Sequence, residues 1–334
     1  MKALALLGLI AGLVLATVLV FGYGVDGIWA AASDLGWSGF AAVIGFHAVL
    51  LVAMGLAWWL LGWGRADARP GRFIWGRVIR DSASEVLPLS QVGGFVLGAR
   101  AATLAGVSGA FAAASTAVDI TAELVGQLAY TLLGLGLLAW VQPDNALAVP
   151  VLVGVGAMSA LAAGFAVVQA RGTGALERLG ARLARDWLHV GSGRAGGLAA
   201  AMAQIYRRPW RLAASTLIHL GTWVLSGVET WLTLHLMGFG VPLVAALIID
   251  SLLYGIRSLA FMVPNAVGVQ EAALVMLGGL FGVGPDASIA LSLVKRARDL
   301  AIGIPALLAW QLLEGKRAWH EVTPVAVPLV PGDD

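Results

Sequence analysis

The stretch Phe261–Asp299 reads FMVPNAVGVQEAALVMLGGLFGVGPDASIALSLVKRARD. It places Pro264, Asn265, Gly268, Gln270 and Glu271 where a plain membrane helix would carry leucine. Backbone interrupted by proline and glycine at membrane depth is tolerated only where it is buried in protein or lines a wet cavity. The run therefore predicts a re-entrant hairpin. Directly after it, Lys295, Arg296, Arg298 and Asp299 cluster inside the next apolar segment. Ionisable groups are costly there and mark a pathway or binding site by default.

The same pattern occurs once before. Adding 176 to the residue number takes Pro88 to Pro264, Gly106 to Gly282, Val107 to Val283, Asp119 to Lys295, Glu123 to Asp299 and Leu124 to Leu300 without a gap. A proline, a Gly-Val pair and charges in one register predict an internal repeat. Its halves are expected at about 38–140 and 212–315, joined by a span at 146–170 and a loop at 171–211.

Composition sets the class. The chain is 59% hydrophobic and 12% charged, a balance that suits an all-α polytopic membrane protein rather than a water-soluble globule. A net charge of +2, with basic residues confined to the gaps between apolar runs, does not point to nucleic acid. The absence of cysteine excludes disulfides and thiolate chemistry. No metal-ligand spacing occurs around His47, His219 or His235, where packing or a polar contact is the simpler reading, and no cofactor motif is present.

Basic residues orient the spans. An uncleaved first helix runs from Ala3 to about Gly22, and a loop with Asp26 and Asp34 but no lysine or arginine is placed outside. The span from Ser38 to Trp63 ends in Trp58, Trp59 and Trp63. Arg65, Arg69, Arg72, Arg77 and Arg80 follow and are read as a cytoplasmic segment. Glu85 to Val107, broken at Pro88, Gly93, Gly94, Gly98 and Gly106 with Arg100 in its middle, predicts the first hairpin, entering from the cytoplasm.

A span from Gly109 to Trp140 carries Asp119 and Glu123 on one helix face. The loop Arg171 to Arg211 holds eight arginines against Glu177 and Asp186, and part of it is read as an amphipathic helix on an anionic leaflet. Spans follow at 212–237, with His219, Glu229 and His235, and at 243–262, with Asp250 and Arg257. The latter and the broken run would form a second hairpin from outside. The last span, 288–315, then returns Lys316 to the cytoplasm. This gives about six full spans plus two re-entrant hairpins in an inverted repeat, the architecture of alternating-access carriers. The alternative is eight or more full spans, which leaves Lys316 outside.

Three segments carry a family resemblance: RFIWGRVIRDSASEVLPLSQVGGFVLGARAATLAGV, then ASTAVDITAELVGQLAYTLLG, and FMVPNAVGVQEAALVMLGGLFGV with LSLVKRARDLAIGIPALLAWQ. They resemble the integral membrane domain of lysylphosphatidylglycerol synthases and flippases, and more closely the hopanoid-biosynthesis-associated membrane proteins of the HpnL group. The family's Pro-Gly-Gly-Leu-Gly-Val-x-Glu is here Pro264-Asn265-Ala266-Val267-Gly268-Val269-Gln270-Glu271, which keeps Gly268 and Glu271 and departs at Asn265 and Ala266. The resemblance implies a bacterial inner-membrane protein that moves or gathers a hopanoid, an isoprenoid lipid or a phospholipid. Hopanoid-biosynthesis enzymes are implied as possible partners. The soluble transferase domain of the lipid-aminoacylating members does not follow Arg317, so synthase activity is not expected.

The residues expected at the headgroup are Arg100, Asp119, Glu123, Arg257, Glu271, Lys295, Arg296, Arg298 and Asp299. Arginine would hold a phosphate bidentately and lysine as a point charge. The plainer alternative is that these charges only neutralise one another. Asp119 with Glu123, and Glu229 or Asp250, are candidate proton carriers. Two other classes remain open: an intramembrane lipid-modifying enzyme using Asp119, Glu123 or Glu271 as acid or base, and a non-catalytic scaffold recruiting enzymes through the basic loop.

Overall fold

The computed structural model describes residues 25–87, 91–142, 195–260 and 263–322, with scattered positions between 149 and 164. The expected first span, Pro88, most of the 146–170 span and the stretch 171–194 with its amphipathic pattern lie outside the described residues. Described elements are all helical: α1 (Val25–Ser33), α2 (Gly36–Leu60), α3 (Pro70–Val86), α4 (Gln91–Leu104), α5 (Gly109–Val141), α6 (Ala195–Tyr206), α7 (Pro209–Leu236), α8 (Leu243–Leu259), α9 (Val269–Gly279) and α10 (Pro285–Val322). Pro70 and Pro209 each stand in the first helical turn, where a missing N–H costs nothing and the fixed φ favours the helix. Helices α2 and α5 are long and apolar enough to cross a membrane.

The two ends of the bundle differ in chemistry. At one, Arg65 reaches Gln204 at 3.0 Å, the Ser108 backbone N–H donates to Asp67 at 3.1 Å, and Trp63 meets Trp210 edge-on at 5.6 Å. Burial pushes the Asp67 carboxyl up. Hydrogen bonds from Arg65 and from the Ser108 N–H, with the Arg65 charge, outweigh this and hold it below the usual carboxylate range. At the other end Leu35 packs with Met237, and the Gln142 side-chain amide donates to the Leu280 carbonyl at 3.0 Å. Trp37 and Trp140 lie exposed there, as interfacial tryptophans do.

Tracing the chain between these ends places the hairpins. Helices α3 and α4 pack on each other, α3 starting and α4 finishing at the arginine-rich end. Helices α8 and α9 do the same from the opposite end. With 17 and 11 residues, α8 and α9 are about 25 and 16 Å long, short of a hydrocarbon core of about 30 Å. Their turn meets the far end of α3, where the Asn265 amide donates to the Glu85 carbonyl at 2.7 Å.

Two turns 176 residues apart share one geometry. Gly106 (φ +102°) and Gly282 (φ +77°) both take left-handed backbone, and the next residue closes the same six-residue turn: the Val107 N–H donates to the Ala102 carbonyl, the Val283 N–H to the Gly278 carbonyl, each at 3.0 Å. Packing matches as well. Helix α3 lies against α10 as α8 lies against α5, and α2 meets α3 as α7 meets α8.

Three details differ from the sequence expectation. The first hairpin begins at Pro70 rather than Glu85, because Arg77 and Arg80, counted as cytoplasmic, are buried at 3% exposure with carboxylates beside them. Gly93 and Gly94 lie inside α4, not at a turn. Gly94 and Gly98 face α3, where an added Cβ at Gly98 would stand 2.6 Å from the Arg80 Cβ and 2.9 Å from the Gly76 carbonyl oxygen. At the second hairpin, Pro264–Ala266 form a short 3-10 turn in which Asn265 (φ 53°) and Ala266 (φ 46°) are left-handed. Those are the two positions where this chain departs from a glycine of the pattern it resembles. Asn tolerates that conformation, whereas Ala carries a cost of about 1–2 kcal/mol.

Gly98→Ala should therefore destabilise the protein by about 1–3 kcal/mol through overpacking. Gly136→Ala, whose Cβ would enter open space, should be neutral or slightly stabilising. Unfolding of detergent-solubilised variants measures both; equal behaviour of the two would contradict the packing described.

Candidate functional site

A cavity of about 330 Å³ opens where the hairpins meet. Its charged lining consists of Arg77, Arg80, Asp81 and Glu85 from α3, Glu123 from α5, Arg257 from α8, and Arg298 with Asp299 from α10. Apolar and aromatic side chains complete it, among them Leu50, Met54, Phe95, Trp223 and Tyr254. Trp223 and Tyr254 meet edge-on with centroids 4.6 Å apart.

On one side, the spacing Arg77-x-x-Arg80-Asp81 puts three charges on adjacent faces of α3. Arg77 donates in a two-pronged fork to Glu123 at 2.9 and 2.7 Å, and its Nε to Asp81 at 2.8 Å. Arg80 donates to Asp119 at 2.7 Å and also contacts Glu123, with its guanidinium over the Phe95 ring. Behind them, His219 Nε2 lies 2.9 Å from Asp119.

On the other side, Asp250 receives Lys295 at 2.8 Å, Ser226 at 2.6 Å and Thr230 at 2.7 Å. Arg298 pairs with Glu229 and with Asp299 at 2.7 Å, and His47 Nδ1 stands 3.0 Å from Glu229. Position 119 of the first half and 295 of the second are thus charged with opposite signs, and each is neutralised by the first arm of its own hairpin.

A third group joins the hairpins. One nitrogen of Arg257 is shared between both oxygens of Glu85, at 3.1 and 3.3 Å, while the other donates to Gln270 at 2.8 Å. Glu271 serves the second turn: it accepts the Gly268 N–H at 2.7 Å as a helix cap and also binds Ser292 and Arg296.

The nine residues expected at the headgroup therefore separate. Glu123, Arg257, Arg298 and Asp299 line the cavity. Asp119 and Lys295 are sealed behind it at 0% and 4% exposure. Glu271 and Arg296 hold the α9 turn together, and Arg100 lies outside, donating to Glu314 at 2.7 Å. Of the expected turn residues, Pro264, Asn265 and Gly268 do form the second turn. Arg77, Arg80, Asp81 and Glu85 were missed. Their signal was the i, i+3, i+4 spacing on a segment starting with proline, obscured by the rule that assigns clustered arginines to a cytoplasmic loop.

Buried pairs of this kind contribute little over apolar packing, yet removing one partner strands a charge and costs about 3–5 kcal/mol. Arg80→Met should destabilise by about that amount, and adding Asp119→Asn should recover part of the loss. Unfolding of the single and double variants in detergent tests this; a double variant no better than the single would refute the pairing.

A helical bundle with apolar outer faces, tryptophan at both ends and its charges turned inward defines a multi-pass membrane protein. The chain belongs to the family described as the lysylphosphatidylglycerol synthase TM region, whose model matches residues 5–306. That family ties it to membrane lipids. No curated protein and no solved structure matches the chain.

Proposed function

We propose that the protein is a lipid transporter or flippase that holds a polar headgroup in the cavity between the hairpins while the acyl or isoprenoid tail stays in the bilayer. One observation carries this reading: charged residues of both hairpins line a single cavity at the point where their turns meet. The halves 38–140 and 212–315 act as an inverted repeat, and rocking one against the other exposes the cavity to each leaflet in turn. The arginine-rich end faces the cytoplasm of a bacterial inner membrane, which puts both termini there. The lipid is a hopanoid, another isoprenoid-derived lipid or a phospholipid.

Purified protein reconstituted in liposomes with acyl-labelled phospholipids and a labelled hopanoid tests this by leaflet exchange. Exchange should exceed that of empty vesicles for at least one of these lipids. Arg298→Met should slow it about tenfold or more, the equivalent of a lost charged hydrogen bond. Arg100→Gln, which alters a half-buried pair outside the cavity lining, should stay within a factor of about two. Rates equal to empty vesicles for every lipid would contradict transport.

A further inference from the structure

Four arginines in a membrane cavity suggest a net-anionic headgroup, but the cavity has no positive charge to spare. Its lining carries four guanidinium groups and four carboxylates. Behind the lining, Asp119, Glu229 and Asp250 face only Lys295, His219 and the lining residue His47, beyond the guanidinium groups already counted. A net-anionic headgroup would take an arginine and leave a carboxylate unpaired in low dielectric, where an unmatched charge is expensive.

We infer, on the reading that this cavity is the headgroup site, that the protein takes a net-neutral, zwitterionic phospholipid headgroup, which inserts between Arg257 and Glu85. The phosphate takes the guanidinium, the ammonium takes the released carboxylate, and every charge keeps a counter-charge. Geometry selects this pair. Arg77 grips Glu123 by two parallel bonds, whereas Arg257 offers Glu85 a single nitrogen at 3.1 and 3.3 Å and gives its other terminal nitrogen to the neutral Gln270 amide at 2.8 Å. An oxyanion that takes both nitrogens therefore displaces the weaker carboxylate contact and one uncharged acceptor.

Both partners are also reachable from the cavity, with side-chain exposures of 13% and 25%. The Trp223–Tyr254 corner stands beside them with aromatic faces suited to an ammonium group. The exchange has a mechanical consequence. Arg257–Glu85 is the ion pair that links the two hairpins among the described residues, so headgroup entry would separate their turns.

The test uses the full chain in liposomes with acyl-labelled phosphatidylethanolamine, phosphatidylcholine and phosphatidylglycerol in parallel. Wild type should exchange the two zwitterionic lipids about tenfold or more faster than the anionic one. Glu85→Gln and, independently, Asp81→Asn each remove one negative charge and should shift the ratio toward phosphatidylglycerol. Wild-type preference for phosphatidylglycerol, or a ratio unmoved in both variants, would overturn the inference while leaving transport intact. If no lipid is exchanged, transport fails and headgroup choice is read from lipid retained in native mass spectrometry. There, tighter phosphatidylethanolamine supports the inference and tighter phosphatidylglycerol overturns it.

Discussion

Charge neutralisation without water is the constraint on which the structure depends. Arg77, Arg80, Asp119, Glu229, Asp250, Lys295 and Arg298 are nearly or fully buried in an apolar bundle, and each has a counter-charge in contact. Long helices alone would carry these groups on separate cylinders. Packing α3 against α10 and α8 against α5 still lets Arg80 of α3 reach Asp119 of α5 and Lys295 of α10 reach Asp250 of α8. The fold thus solves the same problem twice, with the signs exchanged.

Backbone obeys the same accounting. A helix that stops inside a membrane leaves N–H and C=O groups without partners. Here the interrupted ends satisfy each other: Asn265 donates to the Glu85 carbonyl and Glu271 caps the Gly268 N–H. Short hairpins are stable because their broken ends face protein. The cavity is the space left over where they meet, which makes its lining polar on an otherwise apolar molecule.

Much of this was legible in the chain. The break at Pro264–Gly268 and the interior position of Lys295 and Arg298 follow from proline, glycine and charge placed where leucine belongs, and the structure keeps both. Partner choice was less legible. Arg77 and Arg80 looked like solvent-facing markers because, Asp81 apart, their neutralising groups Glu123 and Asp119 lie about 40 residues away in sequence, and a charge count along the chain cannot see across helices. Arg100 erred the other way: expected at the headgroup, it lies outside the cavity lining, half-buried against Glu314. His47 and His219, read as polar packing contacts, do make polar contacts, each with a carboxylate.

The central claim is that the two hairpins enter from opposite faces and each returns to its own face. The chain has no cysteine, so single cysteines at Gly71, Ser108, Gly240 and Gly284 can be labelled cleanly in sealed, oriented membranes. Three of the four positions have open space for a side chain, and the fourth is exposed. The account predicts that Gly71→Cys and Ser108→Cys react from one side and that Gly240→Cys and Gly284→Cys react from the other. Labelling of Gly71→Cys and Ser108→Cys from different sides, or of all four from one, would contradict it.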